Sequence, residues 1–146
     1  MKNNATCHNL FATDDFSEAF DLPQLLVHVP AGFPSPADDY MDKSLDLNAY
    51  LVSNKAASFF VRVAGDSMEG AGILNGDILL IDRSLDPAHN KIVVAILNNE
   101  LTVKKIRYKG NRVFLIADNP EYQPIEITEH MECAIWGVVA AVIRKL

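Results

Sequence analysis

Six short apolar segments after residue 57 place the strongest constraint on the fold of this chain. They are Phe59–Val63, Ile78–Asp82, Ile92–Leu97, Leu101–Tyr108, Val113–Ala117 and Ile135–Ile143. Each is rich in Val, Ile, Leu or Phe and is bounded by Gly, Asn, Asp or Pro, which is typical of β-strands joined by turns. Asn98-Asn99 and Gly110-Asn111 each separate two such segments and predict hairpin turns. The sequence therefore predicts a compact, mostly β domain over residues 58–146, as a barrel or a folded sheet.

The first third of the chain differs in charge. Residues 1–46 contain eight acids and two lysines, so the whole net charge of −6 lies there. This charge argues against a nucleic-acid-binding arm, which would be basic. It suits a solvated arm, or an arm that docks on a partner. We expect residues 1–31 to form such an N-terminal arm.

The segment from Val29 to Pro36 contains three prolines and one glycine. Because proline has no N–H and a fixed φ, this segment is predicted to be an extended, exposed connector. Asp38 to Asn48 then predicts a short helix. Residues 32–57 are accordingly assigned to a connector with a short helix.

Composition excludes several classes of protein. No apolar run reaches the roughly 18 residues that a membrane span needs, and the N-terminus does not resemble a signal peptide. We therefore expect a cytoplasmic protein without a membrane partner. The two cysteines are expected to be free thiols, and the histidines show no metal-ligand spacing, so neither a metal nor a cofactor is predicted. These residues are Cys7, Cys133, His8, His28, His89 and His130.

A candidate nucleophile, Ser67, follows the strand predicted to end at Val63. Gly65 precedes it and Gly70 follows it. A serine on such a turn can expose its hydroxyl near backbone N–H groups that stabilise an oxyanion. Gly-Asp-Ser is also a common turn composition, so the turn alone does not establish a nucleophile.

A serine nucleophile needs a base at neutral pH, and none of the four histidines has an evident acid partner in a triad motif. In the predicted strand 101–108, Lys104 shares its face with Thr102, Ile106 and Tyr108, whereas Lys105 lies on the face that is predicted to be solvated. Burial can lower the pKa of a lysine far enough to make it a usable base. A Lys-Lys pair is more commonly part of a solvated basic ribbon, and that interpretation also fits the spacing.

Three features together resemble the UmuD branch of the LexA-like self-cleaving peptidases. They are Gly65-Asp66-Ser67-Met68, Thr102-Val103-Lys104-Lys105 and Ala31-Gly32-Phe33-Pro34-Ser35-Pro36. The 37 residues from Ser67 to Lys104 match the spacing of the serine–lysine dyad in that family. Asn75-Gly76-Asp77 and Trp136-Gly137-Val138-Val139 also resemble it. The resemblance covers residues 29–146, and the Ala-Gly pair resembles the scissile pair of LexA.

The resemblance implies a LexA/signal-peptidase-like peptidase domain with a flexible N-terminal arm. It implies a catalytic pair in which Ser67 is the nucleophile and Lys104 the general base, with self-cleavage between Ala31 and Gly32. It also implies stimulation by a RecA–single-stranded-DNA filament in the SOS response. The processed product would form a homodimer and serve as the accessory subunit of a UmuC-type translesion polymerase.

Three alternatives remain at the level of sequence. A non-cleaving regulatory or adaptor subunit would retain the fold with a vestigial dyad. A LexA-like repressor fragment would need a DNA-reading helix-turn-helix before the cleavage site, and the 31 residues there are short and acidic, so no sequence-specific DNA binding is predicted. A leader peptidase also uses serine and lysine, but it should carry a membrane anchor. The basic ribbon of Lys105, Arg107, Lys109 and Arg112 is more typical of a solvated or protein-docking face than of a nucleic-acid site.

Overall fold

A computed structural model of the chain describes residues 10–12, 21–25, 29–34 and 41–146. Within them the fold is mostly β, which confirms the predicted fold class. The strands are β1 Leu10–Ala12, β2 Asp21–Leu25, β3 Met41–Asp46, β4 Ser58–Arg62, β5 Ile78–Asp82, β6 Ile92–Leu97, β7 Glu100–Lys109, β8 Arg112–Ile116, β9 Ile125–Ile127 and β10 Cys133–Ile143. One α-helix, α1, spans Leu47–Leu51, and short 3-10 helices span Lys55–Ala57 and Glu69–Ala71.

Eight of the described strands form one antiparallel sheet in the order β1-β4-β5-β10-β6-β7-β8-β9. The long strand β10 lies in the middle and pairs with β5 on one side and β6 on the other. Its register shifts between Ile135 and Gly137 and again between Val139 and Ala141. A Cβ atom on Gly137 would lie 2.5 Å from Ile81 Cγ2, so glycine permits the close approach of β10 to β5.

The core of this sheet consists of two clusters of buried apolar side chains. The first cluster contains Met68, Ile73, Leu79, Ile81 and Val94. The second contains Val93, Ala95, Ile106, Leu115 and Val138. Since successive side chains of a strand point to opposite faces, the neighbours Val93 and Val94 show that β6 is covered by apolar side chains on both faces.

The six strands predicted from the sequence are all present. The bounds of β5 and β6 agree with the predicted ones, and the others differ by one or two residues. Both predicted hairpin turns occur, with φ angles of 48° at Asn98, 67° at Asn99 and 59° at Gly110. These left-handed conformations suit asparagine and glycine. The short strands β1, β2, β3 and β9 were not predicted.

Residues 15–53 form a second compact unit. In it β2 pairs with β3 in antiparallel fashion, and α1 follows β3 directly. The prediction of a helix over Asp38–Asn48 is wrong in its bounds, since residues 41–46 are a strand and the helix begins at Leu47. Two features explain the difference: β2 supplies backbone partners for β3, and the Asp46 carboxylate caps the helix by accepting from the N–H groups of Asn48 (2.9 Å) and Ala49 (3.3 Å).

Residues 29–34 of this unit lie outside helices and strands, and all are exposed. The exposed fraction is 77% at Val29 and 92% at Phe33. The other end of the predicted connector, Ser35-Pro36, and most of the predicted arm lie outside the described residues, as does Cys7. Cys133 is a half-buried free thiol whose pKa is raised by burial. Among the described residues, no helix is long and apolar enough to cross a membrane.

Candidate active site

The turn that carries Ser67, here called the serine turn and defined as residues 65–70, follows β4. Gly65 has a φ of 95°, a left-handed conformation that glycine adopts without strain. Met68 is 2% exposed and belongs to the first core cluster, and the 3-10 helix then begins at Glu69. Burial of Met68 therefore fixes the backbone beside Ser67, which is itself only half-buried.

The loop before β5 holds the start of the serine turn. The Gly65 N–H donates to Asn75 Oδ1 (2.9 Å), and the Gly76 N–H donates to the Val63 carbonyl (2.9 Å). The Asp77 side chain is almost fully buried, and its carboxylate accepts from Arg144 Nε (2.7 Å). This hydrogen bond is the main reason why the pKa of Asp77 is lowered to about 2. The loop is thus tied to the serine turn at one end and to the chain after β10 at the other.

Lys104 lies within β7 opposite Val93 of β6 and is only 9% exposed. Its Nζ atom lies 2.9 Å from Ser67 Oγ, 2.9 Å from Thr102 Oγ1 and 3.0 Å from the Val103 carbonyl oxygen. These partners are neutral oxygens, so none of them offsets the cost of burying a charge as a carboxylate would. Burial accordingly lowers the pKa of Lys104.

Strand pairing alone does not bring Ser67 to Lys104, because β5, β10 and β6 separate β4 from β7 in the sheet. Packing of the first core cluster joins them. Met68 is part of that cluster, and Val103 packs against it. Met68 directly follows Ser67 and Val103 directly precedes Lys104 in the chain. Packing of these two apolar side chains therefore brings Ser67 close to Lys104.

The hydrogen bonds at Lys104 suit both of its protonation states. A charged amine has three N–H donors for the three oxygens. A neutral amine keeps two N–H donors, which can remain on Thr102 and the Val103 carbonyl, and has one lone pair, which can accept the hydroxyl hydrogen of Ser67. Loss of one proton therefore converts Ser67 from an acceptor into a donor without any change of heavy-atom position.

Ser67 and Lys104 open into a cleft of about 710 Å³. Its walls include apolar side chains of β4 and β7, with Val61 and Leu101 among them, and the ring of Tyr122. The backbone N–H of Ser67 donates to no acceptor among the described residues. The cleft thus combines an apolar surface with a hydroxyl and an amine.

The other residues singled out in the sequence lie in several different environments. Ala31 and Gly32 are exposed within the second unit. Lys105 is not simply solvated as expected, because its amine forms an ion pair with Asp118 Oδ2 at 2.9 Å. His89 and His130 do not line the cleft. No group of His, Cys, Asp and Glu side chains in the described part of the chain is arranged to hold a metal ion.

Sequence reasoning missed several residues around the site. Thr102 was placed on the face of Lys104 without its hydrogen bond to the amine. Asp66 was part of a quoted motif but had no contact assigned to it. Asn119 and Tyr122, which both bind Asp66, had no signal beyond the turn-forming pair Asn119-Pro120, because their partner lies more than fifty residues earlier in the chain.

Comparison with known proteins identifies the family to which this chain belongs. The family model described as Peptidase S24-like matches residues 23–140, which include Ser67 and Lys104. The chain therefore belongs to the Peptidase S24-like family, the LexA-like self-cleaving serine peptidases associated with the SOS response.

Individual relatives narrow this position to the UmuD branch. Protein SamA of Salmonella typhimurium is 44% identical over 123 residues, which cover 84% of this chain and 85% of SamA. Protein ImpA of Escherichia coli is 37% identical over 142 residues, which cover 97% of this chain and 96% of ImpA. The LexA repressor of Ectopseudomonas mendocina is 39% identical over 118 residues, 80% of this chain and 57% of the repressor.

Proposed function

We propose that this chain cuts its own peptide bond between Ala31 and Gly32, with Ser67 as nucleophile and Lys104 as general base. The observation that carries the proposal is the 2.9 Å distance between Lys104 Nζ and Ser67 Oγ, at an amine that burial keeps away from solvent and from carboxylates. A lysine in this environment is neutral more often than a free lysine at the same pH. It therefore meets the chemical requirement for activating a serine.

In the first step, neutral Lys104 takes the hydroxyl proton of Ser67 while Oγ attacks the carbonyl carbon of Ala31. The carbonyl oxygen becomes an oxyanion, which the backbone N–H of Ser67 is free to stabilise. The lysine, now charged, returns its proton to the nitrogen of Gly32 as the carbon–nitrogen bond breaks. The products of this step are an ester between Ser67 and Ala31 and a new amino terminus at Gly32.

In the second step, water attacks the ester carbonyl. Lys104 again accepts a proton, this time from water, and gives it to Ser67 Oγ as the ester bond breaks. Thr102 and the Val103 carbonyl keep the amine oriented throughout, because their hydrogen bonds fit both protonation states. The cycle leaves Ser67 and Lys104 unchanged and releases residues 1–31 as a carboxylic acid.

The segment around Ala31 has the chemistry of an intramolecular substrate. Ala31 is small, Gly32 permits close approach to the serine, and the flanking prolines reduce the entropy lost when the segment docks. Attachment of substrate and catalyst to one chain gives effective concentrations as high as roughly 10⁵–10⁸ M for well-oriented groups. Even a slow dyad can then react once the segment is docked.

The biological role that we propose is the one implied by the UmuD branch. A RecA–single-stranded-DNA filament stabilises the docked state and so accelerates cleavage. The trimmed chain forms a homodimer and acts as the accessory subunit of a UmuC-type translesion polymerase in SOS mutagenesis. Membership of the branch supports these partners.

Mass spectrometry of the purified chain, with and without an activated RecA filament, tests the proposal. Fragments of residues 1–31 and 32–146 are expected, and they should accumulate faster with the filament. An intact chain under both conditions would instead identify a non-cleaving adaptor. If the fragments form at the same rate with and without the filament, the chain is a self-cleaving peptidase but the filament is not its activator.

A further inference from the structure

The segment from Asp118 to Tyr122, after β8, contacts the serine turn at three points. Asn119 Nδ2 donates to the Asp66 carbonyl (3.1 Å), and the Tyr122 hydroxyl donates to Asp66 Oδ1. The Gly70 N–H donates to the Asp118 carbonyl (2.7 Å). The contacts fall on both sides of Ser67, so they hold the turn at each end.

Steric fit at Gly70 shows how closely the two segments approach. A Cβ atom on Gly70 would lie 2.5 Å from the carbonyl oxygen of Asp118 and 3.0 Å from its Oδ1 atom. Any other residue at this position would push the segments apart. The backbone hydrogen bond from Gly70 to Asp118 therefore depends on the absence of a side chain.

The same segment is also tied to the strand that carries Lys104. The Asp118 carboxylate forms an ion pair with Lys105 Nζ at 2.9 Å, and Lys105 directly follows Lys104 in β7. Asp118 thus contacts the serine turn through its backbone and the base-carrying strand through its side chain. Asp118 therefore adds a second link between the two candidate catalytic residues, beside the packing of Met68 and Val103 in the first core cluster.

The segment has local order of its own. The Glu121 N–H donates to Asn119 Oδ1 (3.0 Å), and the Tyr122 N–H donates to the Asn119 carbonyl (3.2 Å). Pro120 restricts its own φ angle. The hydrogen bond to Asp66 raises the pKa of Tyr122, so its hydroxyl remains a donor well above neutral pH.

We propose that residues 118–122 form a brace that holds the serine turn in its reactive position, with Tyr122 as a positioning residue for cleavage. This inference rests on the proposed self-cleavage. A displacement of about 1 Å at a reacting group can reduce a rate roughly a hundredfold. Loss of one contact of the brace should therefore slow cleavage in a chain that is still fully folded.

The test compares Tyr122→Phe with a matched control, Tyr108→Phe. Tyr108 is 40% exposed and Tyr122 is 43% exposed, and the Tyr108 hydroxyl also donates a hydrogen bond, to the Pro87 carbonyl (2.8 Å), but Tyr108 does not line the cleft. At a temperature well below unfolding, Tyr122→Phe should slow self-cleavage about tenfold. Tyr108→Phe should cleave at the wild-type rate. Equal rates for both variants would overturn the proposal.

Substitution of Asp66 separates positioning from general loss of structure. Asp66→Ala removes the acceptor and should slow cleavage as Tyr122→Phe does, whereas Asp66→Asn keeps an acceptor oxygen and should restore most of the rate. The double variant Asp66→Ala/Tyr122→Phe should be no slower than the slower single variant. Multiplied effects in the double variant, or no rescue by asparagine, would contradict a shared hydrogen bond.

A readout independent of cleavage separates failure of the brace from failure of the proposed peptidase. In a Ser67→Ala background, Tyr122→Phe should accelerate amide hydrogen exchange across residues 65–71, and Tyr108→Phe should not. If the wild-type chain does not cut itself, the proposed function fails, and this exchange measurement alone decides whether the brace exists. Unchanged exchange in Tyr122→Phe would overturn it.

Discussion

The serine turn and residues 29–34 are both irregular backbone rich in turn-forming residues, yet their physical environments are opposite. The serine turn is fixed by buried Met68 and by hydrogen bonds before and after Ser67. In residues 29–34, Phe33 is 92% exposed, and a Cβ atom on Gly32 would meet no atom within 4 Å. A segment outside the strands is thus fixed in one unit and solvated in the other.

This contrast indicates where a self-cleaving chain would be regulated. Pre-organised catalytic groups lose little entropy in the reaction, whereas a solvated substrate segment must lose its freedom when it docks. The docking equilibrium then sets the rate, and a partner accelerates cleavage to the extent that it binds the docked state more tightly. On our proposal the dyad is already assembled, and docking of the connector is the regulated step.

Substitution of either dyad residue should have the largest effect. Ser67→Ala removes the nucleophile, and Lys104→Ala removes the base, so each should reduce self-cleavage by at least about a thousandfold. Mass spectrometry measures the fragments, and circular dichroism checks that each variant is folded. Lys109→Ala is the matched control, because Lys109 is an exposed lysine of the same strand. Cleavage that persists in either dyad variant would remove that residue from the mechanism.

A change of pH should have the next largest effect on the rate of self-cleavage. Burial lowers the pKa of Lys104, so the midpoint of the rate profile should lie below 10.5. Below that midpoint the neutral fraction, and with it the rate, increases about tenfold for each unit of pH. Self-cleavage without a partner, followed between pH 7 and 10, measures this rise. A flat profile would contradict a lysine base.

The same shift predicts how stability depends on pH. A lysine with a lowered pKa in the folded state binds fewer protons there than in the unfolded state, so the free energy of unfolding rises with pH between the two pKa values. Lys104→Met removes this dependence. The stability of the wild type relative to Lys104→Met should therefore improve as pH rises toward 10.5, and urea unfolding at several pH values measures it.

The β-domain and the two dyad candidates could both be predicted from the sequence, but on different grounds. Short runs rich in Val, Ile and Leu and the turn residues that bound them are local signals, and they placed β5 and β6 at their observed bounds. Ser67 and Lys104 were found through resemblance, since the turn and the lysine pair each had an ordinary structural interpretation. The structure adds the distance between the two side chains, which no local signal contains.

The missed features depend on contacts between distant residues. The strand β3 pairs with β2, whereas the sequence alone placed residues 41–46 inside a helix predicted over 38–48. Asp77 meets Arg144 across 67 residues, and Asp66 meets Tyr122 across 56. Such pairs are set by the way the sheet brings loops together, and a single sequence does not encode them in any periodic pattern.

A pair of glycine substitutions tests the contrast between fixed and free segments directly. Gly70→Ala places a Cβ atom against the Asp118 carbonyl and should reduce the free energy of unfolding by about 1–3 kcal/mol. Gly32→Val adds a Cβ atom that meets nothing within 4 Å, at an exposed position, and should change the free energy of unfolding by less than about 0.5 kcal/mol. Urea denaturation measures both values. Equal destabilisation would show that residues 29–34 are held as firmly as the serine turn.

Self-cleavage of these variants sharpens the same contrast. Gly32→Val should slow cleavage at least about tenfold although it leaves the fold intact, because a branched side chain hinders the approach of the scissile bond to Ser67. A variant at the neighbouring exposed position, Val29→Ala, serves as the control for general effects on the segment. Cleavage of Gly32→Val at the wild-type rate would mean that the cut lies elsewhere.

The smallest expected effect concerns the loop that supports the serine turn, and the change of this effect with pH is confined to acid pH. The pKa of Asp77 is about 2 in the folded chain against 3.8 for the free side chain, mainly because of the hydrogen bond from Arg144. The unfolded state therefore binds more protons between these values, so the stabilisation is present above pH 3.8 and is lost as pH falls toward 2. Urea midpoints of the wild type and Asp77→Asn should differ at pH 5 and converge near pH 2. Asp86→Asn, at an exposed aspartate, should follow the wild type throughout, and a wild-type advantage over Asp77→Asn that persists unchanged at pH 2 would contradict the role of this ion pair.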